Sequence, residues 1–228
     1  MKTCIPIMAR TYEESIELIN GVSQNIDMIE WRIDCLDENF KPGKFADAWN
    51  RIREAAKRPV IVTFRTRKQG GAKELSASDY NLRMRKIILN IKPSYIDIEL
   101  NSCGSDAYVR MLSVMARKRG IGVIVSHHDL NFTESPRDID MLLCRMKYIG
   151  ADIPKVAFTP QSKDDVANLI QGAYEAHKKV GDIIAISMGK IGQKTRTDGD
   201  TFGSVINFVK PIGSCYDESK DIGQIEIE

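Results

Sequence analysis

The sequence has few cysteines, and their spacing indicates neither a disulfide framework nor a zinc finger. There are five, an odd number, and no two form a C-x-x-C pair. This number and spacing of cysteines is typical of a protein from a reducing compartment. The apolar stretch near the amino terminus is interrupted by Pro6 and is too short for a signal sequence or a membrane span. We therefore expect a cytoplasmic protein with no membrane partner.

Charge of one sign is not in excess either. Lys and Arg total 33, Asp and Glu total 31, and the formal net charge is +2 at pH 7. A balance this even argues against a general nucleic-acid or membrane-surface binder. The three histidines show no H-x-x-x-H spacing, which disfavours a metal site. No G-x-G-x-x-G or Walker A sequence is present, so no nucleotide-binding turn is indicated.

What the chain does contain is a regular alternation of short β-rich runs and longer amphipathic segments. Eight β-rich runs lie at residues 4–9, 27–34, 59–65, 95–100, 122–129, 153–158, 182–188 and 204–209. Apolar residues at helical spacing mark residues 11–25, 45–57, 78–91, 106–119, 136–149 and 163–180. Parallel strands need crossovers of this length, so the pattern predicts a (β/α)8 TIM barrel, with residues 1–228 as one domain. A doubly wound open sheet is the alternative, although it usually has fewer strands.

Charged residues within these runs are the exceptions that point to a site. Barrel strands are packed on both faces, so a charge inside one needs a reason. Because side chains alternate along a strand, Glu30, Arg32 and Asp34 share one face while Trp31 takes the other. The same alternation pairs further residues on one face: Thr63 with Arg65, Asp97 with Glu99, and Ser126 with His128, leaving His127 opposite. A substrate site and a structural ion network both fit this pattern.

Lys155 is the one charged residue of the sixth run, residues 153–158. Burial lowers the pKa of a lysine and so raises the fraction of free amine, the form that attacks a carbonyl to give an imine. If Lys155 points into a barrel that presents Arg32, Arg65 and His128, the site holds a nucleophile, a proton carrier and anion-binding groups. The alternative is a strand-end lysine whose ammonium reaches water.

Several short motifs follow one another along nearly the whole chain. They are E-W-R-I-D at 30–34, T-F-R-T at 63–66, D-I-E-L at 97–100, S-H-H-D at 126–129, A-D-I-P-K at 151–155, S-M-G-K at 187–190, Arg196, F-G-S at 202–204 and G-Q-I at 223–225. In this order they resemble type I 3-dehydroquinate dehydratase, a (β/α)8-barrel Schiff-base enzyme of the shikimate pathway. The pairing of S-H-H-D with A-D-I-P-K is specific.

The resemblance implies a lyase that converts 3-dehydroquinate to 3-dehydroshikimate and water. Lys155 would form an imine with the C3 ketone, and His128 would remove a C2 proton and return it to the departing C1 hydroxyl. Glu30 matches the carboxylate that contacts substrate and helps to orient the histidine. No metal or organic cofactor is implied, because the imine serves as the electron sink. The family is usually dimeric, so we expect a homodimer.

The resemblance also implies which residues bind the substrate. They are three arginines, two apolar walls and one lid glutamine: Arg32, Arg65, Arg196, Met188, Phe208 and Gln224. Arg196 matches the arginine that clamps the substrate carboxylate, for which a planar guanidinium is well suited.

Two departures from the family pattern stand out. Gln69 occupies a position that is commonly glutamate, so any tuning of the His128 pKa by a carboxylate would weaken. Residues 218–224 read E-S-K-D-I-G-Q where the family has A-S-A-P-G-Q, which places Lys220 four residues before Gln224. We expect lid closure, and hence rate or KM, to be affected before the chemistry. Two rivals stay open: a Schiff-base aldolase, and a related barrel that senses a ligand without turnover.

Overall fold

The computed structural model describes residues 1–37 and 42–216, within which eight strands alternate with helices. The strands are β1 Lys2–Ile7, β2 Met28–Arg32, β3 Val60–Thr63, β4 Tyr95–Glu99, β5 Gly122–Asp129, β6 Ile153–Phe158, β7 Ile184–Ser187 and β8 Ile206–Phe208. The helices are α1 Tyr12–Asn20, α2 Pro42–Ala56, α3 Ala77–Asn90, α4 Asp106–Lys118, α5 Pro136–Tyr148, α6 Lys163–Val180 and α7 Lys194–Thr197. Short 3-10 turns lie at Arg67–Gln69, Asn101–Cys103, Lys190–Gly192 and Gly199–Phe202.

The strands form one parallel sheet that closes on itself. Their order is β7-β6-β5-β4-β3-β2-β1-β8. The ring closes between β7 and β8, where Ile183 and Ser204 form a parallel bridge and the Val205 N–H donates to the Ile183 carbonyl at 2.9 Å. The predicted (β/α)8 barrel is confirmed, and the open-sheet alternative is wrong.

Side-chain caps define where the central helices begin. The Ser76, Ser105 and Ser135 hydroxyls each accept a hydrogen bond from the backbone N–H three residues later. Ahead of α6, Ser162 and Asp165 form a reciprocal capping box. The bounds that the apolar spacing predicts for α3 to α6 agree with the observed bounds to within one residue.

The sequence pattern was less accurate elsewhere. Helix α1 ends at Asn20, earlier than the predicted residue 25, because the Gly21 N–H caps the carbonyls of Glu17 and Leu18. Between β7 and β8 the apolar spacing predicted no helix, whereas the structure has the four-residue α7 flanked by 3-10 turns. Periodicity needs several helical turns to be visible, so an element this short gives no signal.

One apolar layer lies outside the barrel wall and another lies inside it. Polar groups occupy the carboxyl ends of the strands. Outside the wall, Trp31 stacks on Phe45 and Trp49 of α2, with ring centroids 5.5 and 6.4 Å away. This confirms the alternation predicted for residues 29–34. Inside, an apolar cluster fills the amino-terminal end of the barrel and includes Met28, Ile61, Ile124, Ile153, Ile184 and Ile206. In the described part of the chain no helix is long and apolar enough to span a membrane.

Candidate active site

A cavity of about 270 Å³ opens at the carboxyl ends of the strands, the end at which TIM barrels carry their active sites. Eight of the nine predicted site residues line it: Glu30, Arg32, Arg65, His128, Lys155, Met188, Arg196 and Phe208. The ninth, Gln224, lies outside the described residues. Closure of the barrel therefore brings together eight side chains that are spread over most of the sequence.

Lys155 projects from β6 into the barrel and is only 3% exposed. Its Nζ lies 3.6 Å from Asp97 Oδ2, 4.0 Å from Glu30 Oε1 and 3.8 Å from the centroid of the Phe208 ring. Burial lowers the pKa of Lys155 and the Arg65 cation adds to this, while Glu30 and Asp97 act in the opposite direction. The alternative of an ammonium that reaches water at a strand end is therefore wrong.

Glu30 and Phe208 flank the amine from two other strands. Glu30 Oε1 accepts a hydrogen bond from the Thr63 hydroxyl at 2.8 Å, which fixes the carboxylate against β3. Phe208 presents its ring face to the Lys155 ammonium, an arrangement in which the negative face of the ring attracts the cation. Met188 adds a second apolar side chain to the cavity wall.

Arg65 lies between two buried carboxylates. Its Nη2 donates to Asp97 Oδ2 at 2.8 Å, and its Nη1 donates to Glu99 Oε1 at 3.0 Å and to Ser126 Oγ at 2.9 Å. Burial acts to raise the pKa of Asp97, but Arg65 and Lys155 outweigh it and lower that pKa. Arg65 thus belongs both to a structural ion network and to the cavity wall, and its binding of substrate stays a prediction.

Arg32 and Asp34 form a two-pronged ion pair at the end of β2. Arg32 Nε and Nη2 each donate to an Asp34 oxygen at 2.8 Å. The same carboxylate accepts the backbone N–H groups of Arg65 at 3.2 Å and Ala72 at 3.0 Å. Although burial opposes it, Arg32 and these hydrogen bonds lower the pKa of Asp34. Asp34 therefore fastens the loop after β3 to the cavity wall.

His128 faces the cavity from β5, and Gln69 holds it from the loop after β3. The His128 backbone N–H donates to Gln69 Oε1 at 2.9 Å, and its Nδ1 lies 3.2 Å from the same oxygen. Burial, reinforced by Arg65 and Lys155, lowers the pKa of His128 well below its usual value. The ring is therefore neutral at pH 7 and able to accept a proton.

His127 takes the opposite face of β5, as the alternation predicts. Its ring packs edge-on against Phe158 at 5.9 Å, and its Nδ1 lies 3.2 Å from Asn101 Nδ2. It is absent from the cavity lining described for residues 1–37 and 42–216. His127 is thus a residue of the barrel exterior.

Arg196 reaches the cavity from α7. Its Nη1 donates to the Phe208 carbonyl at 2.8 Å, which ties the guanidinium to the end of β8. Burial lowers the pKa of Arg196 to about 10, so the group is still a cation at pH 7. A desolvated guanidinium beside apolar walls is suited to binding a carboxylate.

Sequence reasoning left several cavity residues out of the predicted site. Gln69, Met8, Leu130, Cys215 and Tyr216 all line the cavity. Gln69 stands out in the sequence as a departure from the family pattern, and alternation along β1 could have indicated Met8. Nothing in the sequence marks Tyr216 or Cys215, because the chain passes the cavity mouth there outside any strand. No three His, Cys, Asp or Glu side chains of the described residues are grouped to hold a metal ion.

Comparisons with known proteins agree on one family. The model of the type I 3-dehydroquinase family matches residues 3–228. The 3-dehydroquinate dehydratase of Klebsiella pneumoniae is 36% identical over 209 residues, which cover 90% of this chain and 82% of that protein. The enzyme of the same name from Clostridium kluyveri is 34% identical over 230 residues, covering 99% of this chain and 88% of that protein.

Solved structures lead to the same family. The crystal structure of type I 3-dehydroquinate dehydratase from Clostridium difficile with covalently modified comenic acid superposes with a TM-score of 0.88 at 30% identity. The alignment covers 98% of this chain and 86% of that one. Sequence and structure both show that this chain belongs to the type I 3-dehydroquinase family.

Proposed function

We propose that this protein dehydrates 3-dehydroquinate to 3-dehydroshikimate through an imine on Lys155. One observation carries the proposal: a buried lysine, its pKa lowered, lies in a cavity that also presents a neutral histidine and three arginines. A free amine is the nucleophile that imine formation needs, and the histidine can carry the proton. The arginines suit a substrate that is a carboxylate anion.

The reaction begins and ends at Lys155. The Nζ lone pair attacks the C3 carbonyl carbon, and the carbonyl oxygen leaves as water to give a protonated imine. After dehydration, a water molecule adds to the imine carbon and the C–N bond breaks. This step releases 3-dehydroshikimate and returns the free amine.

His128 moves the proton between these two steps. It takes the C2 proton, and the C–H electron pair moves into the imine to form an enamine. The enamine electrons then expel the C1 hydroxyl, which leaves as water with the proton that His128 returns. One group serves in both directions because its neutral form is the base and its protonated form is the acid.

The other predicted site residues bind and orient the substrate. Arg196 holds the substrate carboxylate, Arg32 and Arg65 bind its polar groups, and Glu30 contacts the substrate. Orientation of His128 by Glu30 stays a prediction, because the described contacts of Glu30 are with Thr63 and Lys155. The apolar wall of Met188 and Phe208 keeps water from the imine. Gln224 as the lid glutamine stays a prediction, because it lies outside the described residues.

The test of the proposal is borohydride trapping of the imine. Wild-type protein incubated with 3-dehydroquinate and borohydride should gain mass on a peptide that contains Lys155, because reduction turns the imine into a stable secondary amine. Lys155→Met should show neither adduct nor turnover, with its fold intact by circular dichroism. Lys118→Met, which changes an exposed lysine on α4, should match wild type in both assays.

The outcomes separate the rivals. Normal turnover by Lys155→Met contradicts the imine mechanism. Binding of 3-dehydroquinate to folded wild-type protein without adduct or product would indicate the ligand-sensing barrel. An adduct that forms without 3-dehydroshikimate would point to a Schiff-base enzyme of another substrate class.

We also propose a cytoplasmic homodimer with the whole chain as one domain. The five cysteines, all free thiols, fit a reducing compartment. Met141 and Tyr148 lie two turns apart on α5 with exposures of 57% and 78%, so they form an apolar face that a second copy could cover. The continuous ring from β1 to β8 supports a single domain.

A further inference from the structure

We propose that Gln69 is a positioning residue for His128, which it holds in the tautomer protonated at Nδ1 by means of an uncharged acceptor. This assignment leaves Nε2 as the unprotonated nitrogen that accepts the substrate proton. Because the acceptor is uncharged, the ring also stays neutral in mildly acidic solution. The inference rests on the proposed function of His128. Its structural half, the tautomer, can be tested without turnover.

The orientation of the Gln69 amide follows from its partners. A backbone N–H can only donate, so the Gln69 atom 2.9 Å from the His128 nitrogen must be the oxygen. At its other end, the Gln69 Nε2 lies 3.5 Å from Ser102 Oγ, and the Ser102 hydroxyl donates to Glu99. Both ends of the amide therefore have partners, and its oxygen and nitrogen cannot exchange places without losing them.

The tautomer of His128 follows from the amide. Gln69 Oε1 lies 3.2 Å from Nδ1 and carries no hydrogen, so this contact is a hydrogen bond only when Nδ1 carries the proton. A neutral imidazole has one N–H, which makes Nε2 the acceptor. Gln69 is itself buried, and its backbone N–H donates a hydrogen bond to the Thr66 carbonyl at 2.9 Å. The side-chain acceptor is therefore fixed in place.

The charge around the ring explains why an amide matters here. The groups that act on His128 are Arg65 at the end of β3, Lys155 on β6, Arg32 on β2 and His127 on its own strand. Burial disfavours protonation of His128 most, and all of these groups disfavour it as well. The Gln69 amide orients the ring without adding the negative charge that would offset these effects. A carboxylate in the same place would stabilise the imidazolium and raise its pKa.

The experiment combines imidazole NMR with pH profiles. The chain has only three histidines, so protein labelled with ¹⁵N-histidine gives three imidazole spin systems, which His→Gln variants assign. Wild-type His128 should show the protonated-Nδ1 tautomer and a pKa below 6.5. Gln69→Glu, nearly isosteric, should raise the His128 pKa by about 1 to 3 units and move the acidic limb of kcat/KM upward with it. Gln171→Glu, the same change at an exposed position on α6, should alter neither.

Each departure from these results overturns part of the inference. A wild-type ring protonated at Nε2 contradicts the tautomer assignment. An unchanged His128 pKa in Gln69→Glu contradicts the electrostatic role, and a pKa that shifts without the activity profile contradicts the role in catalysis. If borohydride traps no imine while the NMR results are as expected, the proposed reaction fails and the positioning of His128 by Gln69 stands.

Discussion

At the scale of single residues, the ionisation of Lys155 depends on opposing contributions. Burial and Arg65 favour the free amine, whereas Glu30 and Asp97 favour the ammonium. The face of the Phe208 ring, 3.8 Å from Nζ, also favours the cation. In the proposed reaction, free amine is needed for attack, but the imine that follows is itself cationic. The surroundings of Lys155 thus suit both stages.

Phe208→Leu should lower the pKa of Lys155 further. Removing the ring takes away a cation–π attraction of about 2 kcal/mol at a desolvated site, which corresponds to roughly one and a half pKa units. The measurement is the rate of imine trapping by borohydride as a function of pH, whose midpoint should move to lower pH. Phe202→Leu, a buried substitution in the layer outside the barrel, should leave the midpoint unchanged. An unmoved midpoint in Phe208→Leu would show that the ring is only an apolar wall.

At the scale of elements, close packing of α5 on α6 holds the strand between them. Gly172 lies within α6, and a Cβ placed there would be 2.6 Å from the Pro136 carbonyl oxygen and 2.8 Å from Ile139 Cβ on α5. Helix α5 precedes β6 and α6 follows it. This contact therefore sets the position of the strand that carries Lys155.

Gly172→Ala should destabilise the protein, although alanine is the better helix former. Overpacking costs about 1 to 3 kcal/mol, which exceeds the gain of about 1 kcal/mol in helix propensity. Gly43→Ala in α2 is the matched control, because a Cβ there meets nothing within 4 Å. Urea denaturation should show a lower free energy of unfolding for Gly172→Ala and an unchanged or higher one for Gly43→Ala. Equal stabilisation by both changes would contradict the close α5–α6 contact.

At the scale of the whole molecule, the barrel interior is divided into an apolar end and an ionised end. The cluster that contains Met28, Ile61 and Ile124 fills the amino-terminal end, and the network around Arg65 fills the other. Charged groups in the interior make folding depend on pH, because their pKa values differ between the folded and unfolded chain. The direction of each pKa difference determines the pH range in which stability is lost.

Stability should fall in two stages on acidification. The folded pKa of His128 is lowered from 6.5, so the unfolded chain binds more protons and stability declines as pH falls through that value. Burial also lowers the pKa of His127, so this residue adds to the loss of stability as the pH falls. Asp34 and Asp97 have pKa values lowered from 3.8, so the stability they contribute is lost only at lower pH.

A substitution at His128 tests the first of these two losses of stability. Urea denaturation from about pH 7 to pH 5 should show a smaller loss of unfolding free energy in His128→Gln than in wild type. Gln171→Ala, which changes an exposed residue on α6 and no titrating group, is the control and should keep the wild-type slope. An equal slope in His128→Gln and wild type would mean that His128 is not held neutral by folding.

Most of the strands and helices, and the direction of the side chains along each strand, are predictable from the sequence alone. Alternation along a strand follows from backbone geometry, so the sequence places Glu30 and Arg32 on one face and Trp31 on the other. The Ser162 and Asp165 capping box marks the start of α6 within four residues of chain. Such features depend on bonds between near neighbours, and near neighbours are visible in a sequence.

Contacts between residues far apart in the sequence depend on the tertiary structure. Gln69 and His128 are 59 residues apart, and Arg65 and Ser126 are 61 apart, so their contacts exist only because β4 pairs in parallel register with both β3 and β5. The sequence pattern fits both a structural ion network and a substrate site for Arg65, and the structure shows Arg65 in the ion network and on the cavity wall. Barrel closure also buries Lys155 beside the Phe208 ring. The chemistry of the cavity depends on desolvation and on distances of a few ångströms, and closing the barrel sets both.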